Sequence, residues 1–276
     1  MNGSPSTDGW FLSPPEAQVA ALTKGRGVRP QHWPQLAVEA GVFPDEKRYY
    51  DRLHEVSLEA ARQLVAERER ADDQQLIHAI RAVDDLARTT NELVERVAEW
   101  AGTHDPEATV DVGYLRTVAD GETAIEQRQL LSLAERVVAL DAEREQLRGH
   151  ITRTAPAVAP NLSVLAGPML AARLIALAGG LESLAKKPAG TVQVLGAEDA
   201  LFAHLRGNAA PPKHGIIYTH DAVRGTNRAN RGSAARALAG KLSIAARIDH
   251  YSGEIRPELE TELDDRIKRI QARDSS

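Results

Sequence analysis

The chain has no cysteine among its 276 residues. That excludes disulfides, thiol nucleophiles, cysteine-ligated iron–sulfur clusters and every cysteine-containing zinc site, and it agrees with a reducing, cytoplasmic setting. Aromatic residues are scarce at 4%, while alanine and leucine are abundant. This balance disfavours a broad sheet rich in aromatic and β-branched side chains and favours helices packed through small residues. No apolar run reaches membrane-spanning length: the longest, around Leu170 to Gly180, is too short and holds Arg173. The opening MNGSPSTDGWFLSPP lacks the basic start and apolar stretch of a secretory signal. The expectation is therefore an intracellular protein with no membrane partner. A net charge of −5 rules out a generic polybasic binder, so any nucleic-acid site has to be local.

What is present divides along the chain, whose length suits about two compact domains. Six of the eleven aromatics (Trp10, Phe11, Trp33, Phe43, Tyr49 and Tyr50) lie in the first sixty or so residues, interrupted by Pro14, Pro15, Pro30, Pro34 and Pro44. Short elements around one small aromatic core are expected there, followed by a helix from near Asp51. From Asp73 the pattern turns regular: Val83, Ala87, Thr90, Val94, Val97 and Ala101 alternate spacings of four and three. The same alternation recurs at Leu130, Leu133, Val137, Leu140, Arg144, Leu147 and Ile151, with Arg144 the one polar member. This is the seam of a coiled coil or bundle. Gly102 to Pro106 stops the first helix, and a connector of roughly 20 residues makes an antiparallel hairpin, an arm of about 45 Å at 1.5 Å per residue. Pro156 and Pro160 mark its exit. The fold class expected is mainly α: residues 1–62 a small N-terminal domain, 63–155 the long antiparallel coiled-coil hairpin, and 156–276 a C-terminal helical domain.

Charge is distributed unevenly. Arg206, Lys213, Arg224, Arg228, Arg231, Arg236, Lys241 and Arg247 face a single acid, Asp221, within their span, a local charge of +7 where the remainder carries −12. On its own such a cluster is either a solvated basic face or an anion site. Arg224, Arg228 and Arg231, spaced four and three apart, would share a helix face if that stretch were helical, and guanidinium groups fork onto phosphate oxygens. The loop Pro211-Pro212-Lys213-His214-Gly215 has a backbone stiffened by proline and a glycine that permits an unusual turn, holding Lys213 and His214 at its tip. His214 suits base stacking or a phosphate as well as it suits a plain surface loop. Gly-Ile-Ile-Tyr after it reads as a short extended segment. Leu195 to Phe202 reads as a turn into a helix with Glu198 and Asp199 in its first turn, and Ala178-Gly179-Gly180 as a kink or close helix contact, since no Gly-Lys-Ser/Thr follows.

Catalysis finds little support. His204, His214 and His220 with Glu198 have no helical ligand spacing and sit among cations. Ser183, Ser233 and Ser243 lack a nucleophile elbow.

The stretches AARLIALAGGLESLAKKPAGTVQVLGAEDALFAHLR, PPKHGIIYTH and RGSAARALAGKLSIAARIDHYSGE resemble the Nop domain of box C/D ribonucleoprotein scaffold proteins, most of all the archaeal members. The match runs over roughly Val158 to Glu254, and the hairpin resembles the family's coiled-coil domain. The resemblance implies a mostly α homodimer, paired through the hairpins. Its partners would be a guide RNA with a kink-turn, a kink-turn-binding protein, and fibrillarin, the methyltransferase docked by the N-terminal domain. The chain itself would carry no cofactor. By position, Gly196, Ala197 and Glu198 fall on the family's loop–helix element at the RNA and partner surface. Lys213, His214 and Gly215 fall on its proline-stiffened loop, and Arg231, Arg236 and Lys241 on its basic helix; Arg224 and Arg228 rest on the charge argument alone. The segment before the hairpin is shorter than the family's usual N-terminal domain. Residues 267–276 lack a lysine-rich tail, which implies weaker nonspecific RNA affinity.

Overall fold

A computed structural model describes residues 9–24 and 31–275, with side chains to 273, and all its regular elements are helices. Of the prolines expected to punctuate the N-terminal region, Pro30 lies outside the described residues. The chain forms two compact units, residues 1–71 and 72–276.

In the first unit, α1 (Gln18–Lys24), α2 (Trp33–Glu39) and α3 (Glu46–Glu69) follow a short 3-10 turn at Trp10–Leu12. The expected aromatic core forms: Trp10, Phe11 and Tyr49 are buried, with Trp33 and Phe43 packed against them. Ring centroids lie 5.6–6.0 Å apart about Tyr49 and Phe11, distances at which edge-to-face pairs attract. Trp10 donates from Nε1 to the Tyr49 hydroxyl at 3.2 Å, and burial raises the Tyr49 pKa. Helix α3 starts earlier than the expected Asp51. Asp45, just after Pro44, accepts from the Arg48 backbone N–H at 2.8 Å and caps it.

The second unit opens with α4 (Asp72–Ala101) and α6 (Arg128–Val158), an antiparallel pair. Leu76, Ile77, Ile80 and Val83 share a core with Ile151 and Ala155, while Val94, Val97 and Ala101 share another with Leu130, Ala134 and Val137. On α4 every expected seam position except Ala87 is buried. The polar member of the α6 seam has a partner: Asp141, only 7% exposed at its side chain, sits 2.7 Å from Arg144 and 3.1 Å from Arg116. Arg116 belongs to α5 (Val112–Ala119), a helix within the connector that the sequence reading missed. Asp111 caps it, accepting from the Tyr114 N–H at 2.9 Å. Thr109 also donates to Asp111, and these bonds hold the Asp111 pKa down.

Pro156 does not end the arm. It lies inside α6, which runs to Val158, so the expected boundary at 155/156 falls within one continuous helix. Pro160 then occupies the first turn of α7 (Pro160–Ala166), where a missing N–H costs nothing. Next come α8 (Pro168–Ala178), α9 (Leu181–Ala185), α10 (Ala189–Val194), α11 (Glu198–Leu205), α12 (Asp221–Arg224), α13 (Arg231–Tyr251) and α14 (Glu258–Gln271). The break between α8 and α9 is the anticipated glycine kink, with φ of +86° at Gly179 and +131° at Gly180. No single described helix is long and apolar enough to cross a membrane, and α7 and α8, apolar together, meet at 116°.

Helix α13 is the axis on which α7, α9, α10, α12 and α14 pack. Ala234, Ala235, Ala239, Ala245 and Ala246 are buried along it, and their small side chains admit close neighbours, while Leu238 and Leu242 fill the remaining space. Each buried leucine contributes roughly 1.5–3 kcal/mol. Near the end of α13, Asp249 accepts from the N–H groups of Asn161 and Leu162 at 3.0 and 2.8 Å, which fixes the start of α7. Burial raises the Asp249 pKa against those bonds.

Candidate nucleic-acid interface

Two separate stretches of sequence meet where α10 ends. The loop carrying Lys213 to Gly215 is tied to the α10–α11 turn by two backbone bonds, Gly215 N–H to Gln193 O at 2.8 Å and Ile216 N–H to Leu195 O at 2.7 Å. Gln193 adds a side-chain bond to the Lys213 carbonyl at 2.7 Å. Only glycine fits at 215, because a Cβ there would collide with the Leu195 carbonyl oxygen and lie 2.7 Å from the carbonyl carbons of Val194 and Leu195. Gly196 has φ of +79°, and its missing Cβ would sit 3.3 Å from Ile216. The turn and the loop are thus one object built from backbone contact. Glu198, at the start of α11, accepts from the Gly196 N–H at 2.9 Å. That bond shapes the turn, so its carboxylate is not simply aimed at a phosphate.

On the other side the loop meets the start of α13. The stem of Lys213 lies over Gly232, whose absent Cβ would be 3.8–3.9 Å from it. His214 stacks on Tyr218 with centroids 4.7 Å apart and planes 20° from parallel, and the Arg231 guanidinium carbon is 5.4 Å from the same Tyr218 ring centre. Arg231 is held by its Nε donating to the Thr226 carbonyl at 3.0 Å. Burial, then the nearby Arg231 charge, lowers the His214 pKa below 6.5. The imidazole is therefore neutral at physiological pH and available for stacking. Flat rings beside two cations, at a helix start with no acid in its first turn, suit a base and its phosphate.

Several expectations about this region are corrected. Ile216–Thr219 is a 3-10 turn, not an extended segment, and that turn brings Tyr218 back onto His214. Arg224, Arg228 and Arg231 share no helix face: α12 ends at Arg224, a turn follows, and α13 begins at Arg231. Arg224 pairs with Asp221 at 2.7 Å, while Arg228 is exposed on the turn. Arg231, Arg236 and Lys241 are all on α13 but face different ways, since five residues turn a helix by about 140°. Arg236 and Lys241 line a groove against α14, and Lys241 is ion-paired with Glu262. Arg247 caps other backbone, donating to the carbonyls of Ala185 and Lys187.

The structure thus brings together Gly196, Ala197, Glu198, Lys213, His214, Gly215 and Arg231, while Arg236 and Lys241 line the α14 groove, Arg228 is exposed on the turn, and Arg224 meets the cluster only through its carbonyl, which accepts from Arg231 Nη2 at 3.5 Å. It adds Tyr218, which the sequence reading passed over. It also adds α11, which has no buried residue and leaves Phe202 and Leu205 56% and 70% exposed. Two large apolar side chains on a helix with no buried face were the signal for it. His220 serves the fold, with Nε2 bonded to the Leu165 carbonyl and Nδ1 accepting from Ala222. No group of metal-ligating side chains occurs among the described residues.

The family described as "Nop: snoRNA binding domain, fibrillarin" matches residues 118–269, more than half of the sequence. The chain belongs to the Nop family. An uncharacterized NOP5 family protein of Methanocaldococcus jannaschii, MJ0694, is 35% identical over 274 residues, covering 86% of this Nop-family chain and 66% of that protein. Nucleolar protein 58 of Candida glabrata is 35% identical over 246 residues, covering 73% and 48%. The chain therefore spans between about half and two thirds of the length of these relatives. A crystal structure of a fibrillarin/Nop5p complex holds a chain with TM-score 0.55 and 25% identity, covering 95% of this chain and 98% of that one. The Nop match spans the α10–α11 turn, the His214 loop, all of α13 and most of α14.

Proposed function

We propose that this Nop-family chain is a non-catalytic scaffold of a box C/D guide ribonucleoprotein. It binds kink-turn RNA together with a kink-turn-binding protein and positions fibrillarin for RNA 2′-O-methylation. The carrying observation is the backbone tie that presents Lys213 and His214 beside Tyr218 and Arg231. The ring pair offers a base a stacking platform, the two cations meet the flanking phosphates, and Phe202 and Leu205 on α11 offer apolar contact to the partner protein. Support for the partners also comes from the family's description as a snoRNA-binding domain and from the related fibrillarin/Nop5p complex. Bond chemistry resides in fibrillarin, and the chain takes no cofactor. The N-terminal unit, ending at residue 71, docks fibrillarin, the α4–α6 hairpin dimerises, the helices from α7 onward hold the ribonucleoprotein, and the assembly is cytoplasmic.

Reconstitution with kink-turn protein and kink-turn RNA tests this. Lys213→Glu with Arg231→Glu is expected to weaken recruitment about 100-fold or more, the loss of two charged contacts, while dimer mass and fibrillarin capture stay unchanged. Full recruitment by the double variant would refute the site. A purely structural adaptor would show no salt-dependent RNA affinity at all, whereas each phosphate contact contributes about 0.7–0.9 to the log–log slope.

A further inference from the structure

The groove between α13 and α14 has a volume of about 740 Å³ and a composition unlike the rest of the chain. Its floor on α13 is Ser233, Ala237 and Gly240, residues three or four apart that leave one face of the helix low. Nothing lies within 4 Å of the position a Cβ would take on Gly240, so that floor is open. One wall is Arg236. The other is an exposed face of α14 and of the 3-10 turn that follows it (Ala272–Ser275), where Arg266, Arg269 and Arg273 recur at spacings of three and four. The apolar stripe of α14, Leu259, Leu263, Ile267 and Ile270, is buried beside the arginine row, and Ile270 reaches the groove between them. Two carboxylates, Glu262 and Asp265, also line the groove, and Glu262 is engaged by Lys241. Among the described residues Arg236, Arg266 and Arg273 have no ion-pair partner, and Arg269 donates only to the Asp265 backbone carbonyl. Four guanidiniums thus line both sides of an open channel in a chain of net charge −5.

We infer that this groove is a second RNA-backbone site, separate from the His214 surface. The inference rests on the proposed ribonucleoprotein reading only for the kind of partner. Unpaired arginines on two facing walls grip phosphates from both sides, and a floor of small residues lets a sugar–phosphate strand settle between them. The row from Arg266 on α14 to Arg273 in the 3-10 turn after it spans about 10 Å, enough to follow a strand past a single phosphate. An acidic peptide fits less well. The one exposed large apolar side chain in the groove is Ile244, which offers a peptide's apolar side chains little to pack against. Arg231 and Arg236 face about 140° apart on α13, so the two sites address different parts of one RNA or two strands of it.

The test uses the full chain and two probes: a single-stranded RNA oligomer without a kink-turn, and a box C/D guide RNA with kink-turn protein. Arg266→Glu with Arg269→Glu is expected to weaken binding of the oligomer at least tenfold and to lower its salt slope by about 1.4, two contacts at roughly 0.7 each. Gly240→Leu fills the floor without changing charge and is expected to weaken the oligomer too, with thermal unfolding confirming that both variants fold. Lys213→Glu with Arg231→Glu leaves the groove intact, so residual oligomer binding by that variant supports the second site. Should wild-type chain fail to bind the oligomer, or the α14 variant keep its affinity and slope, the groove proposal is overturned. Preferential displacement of RNA by polyglutamate, with no slope change in the variants, would equally overturn it and mark an acidic-peptide site. Failure of the wild-type chain to join the kink-turn assembly, with oligomer binding retained, would instead sink the scaffold reading and leave the groove standing.

Discussion

The α4–α6 hairpin and the His214 loop cluster reach order by opposite routes. The hairpin is held by repetition: its buried positions recur every three or four residues along some thirty, and each contributes a little. The loop cluster is held by contact between backbones, with Gly215 pressed against Val194 and Leu195 where no side chain has room. One region spreads its constraint thinly and the other concentrates it. The hairpin even carries an imperfection at its centre, where Thr90 is fully buried and its hydroxyl has no hydrogen-bond partner among the described residues. A loop fixed by two backbone bonds has no such slack.

If that contrast is right, single substitutions should divide the two regions by size of effect. The largest is Gly215→Ala: chemical denaturation should show a loss of about 3 kcal/mol, the upper range for forcing atoms into filled space. An unchanged midpoint would mean the loop is not fixed by its glycine. Thr90→Val is expected to do the reverse and stabilise by about 1 kcal/mol, since it removes a buried unpaired hydroxyl at constant shape. A loss of stability there would show that the hydroxyl has a partner. The smallest effect is a pH dependence. Because the folded His214 pKa lies below 6.5, the unfolded chain takes up a proton first as pH falls. Stability present above pH 6.5 is then lost below it until the folded imidazole also protonates. His214→Asn should flatten that part of the profile, and Arg231→Gln should raise the His214 titration seen by NMR. An unmoved titration would remove Arg231 as the second cause.

The same contrast explains what could be read beforehand. The hairpin seams, the aromatic core and the glycine kink follow from local spacing and residue type, which a linear sequence displays directly. The site was read through a charge excess, and the excess was real, but its geometry was not in the spacing. Arg224, Arg228 and Arg231 stand at helical intervals, yet the turn at Asn227 to Asn230 intervenes, with the Asn227 side chain accepting from the Ala229 N–H. Pro156 shows the converse. Proline usually ends a helix, but Ile151 and Ala155 on one side and Ala159 on the other belong to a single core, and that burial carries α6 past it. The arginines of α14 are masked in the sequence because that helix carries five acids against Arg266, Lys268 and Arg269, so its net charge of −2 points away from an anion site. Only folding shows that Arg266 and Arg269 stand beside the buried apolar stripe, on the side that lines the groove with α13.

Because α6 runs unbroken from the arm past Pro156 to Val158, where its end is packed into the core of the C-terminal helices, reach and azimuth cannot be varied independently. Each residue added to the arm advances its tip by about 1.5 Å and swings it through about 100°. Arms of other lengths keep the same heading only when both strands change together by about seven residues, two full turns that leave a residual rotation of about 20°. The hairpin thus behaves as a screw thread: whatever it carries at its tip can be moved outward only in discrete, phased steps.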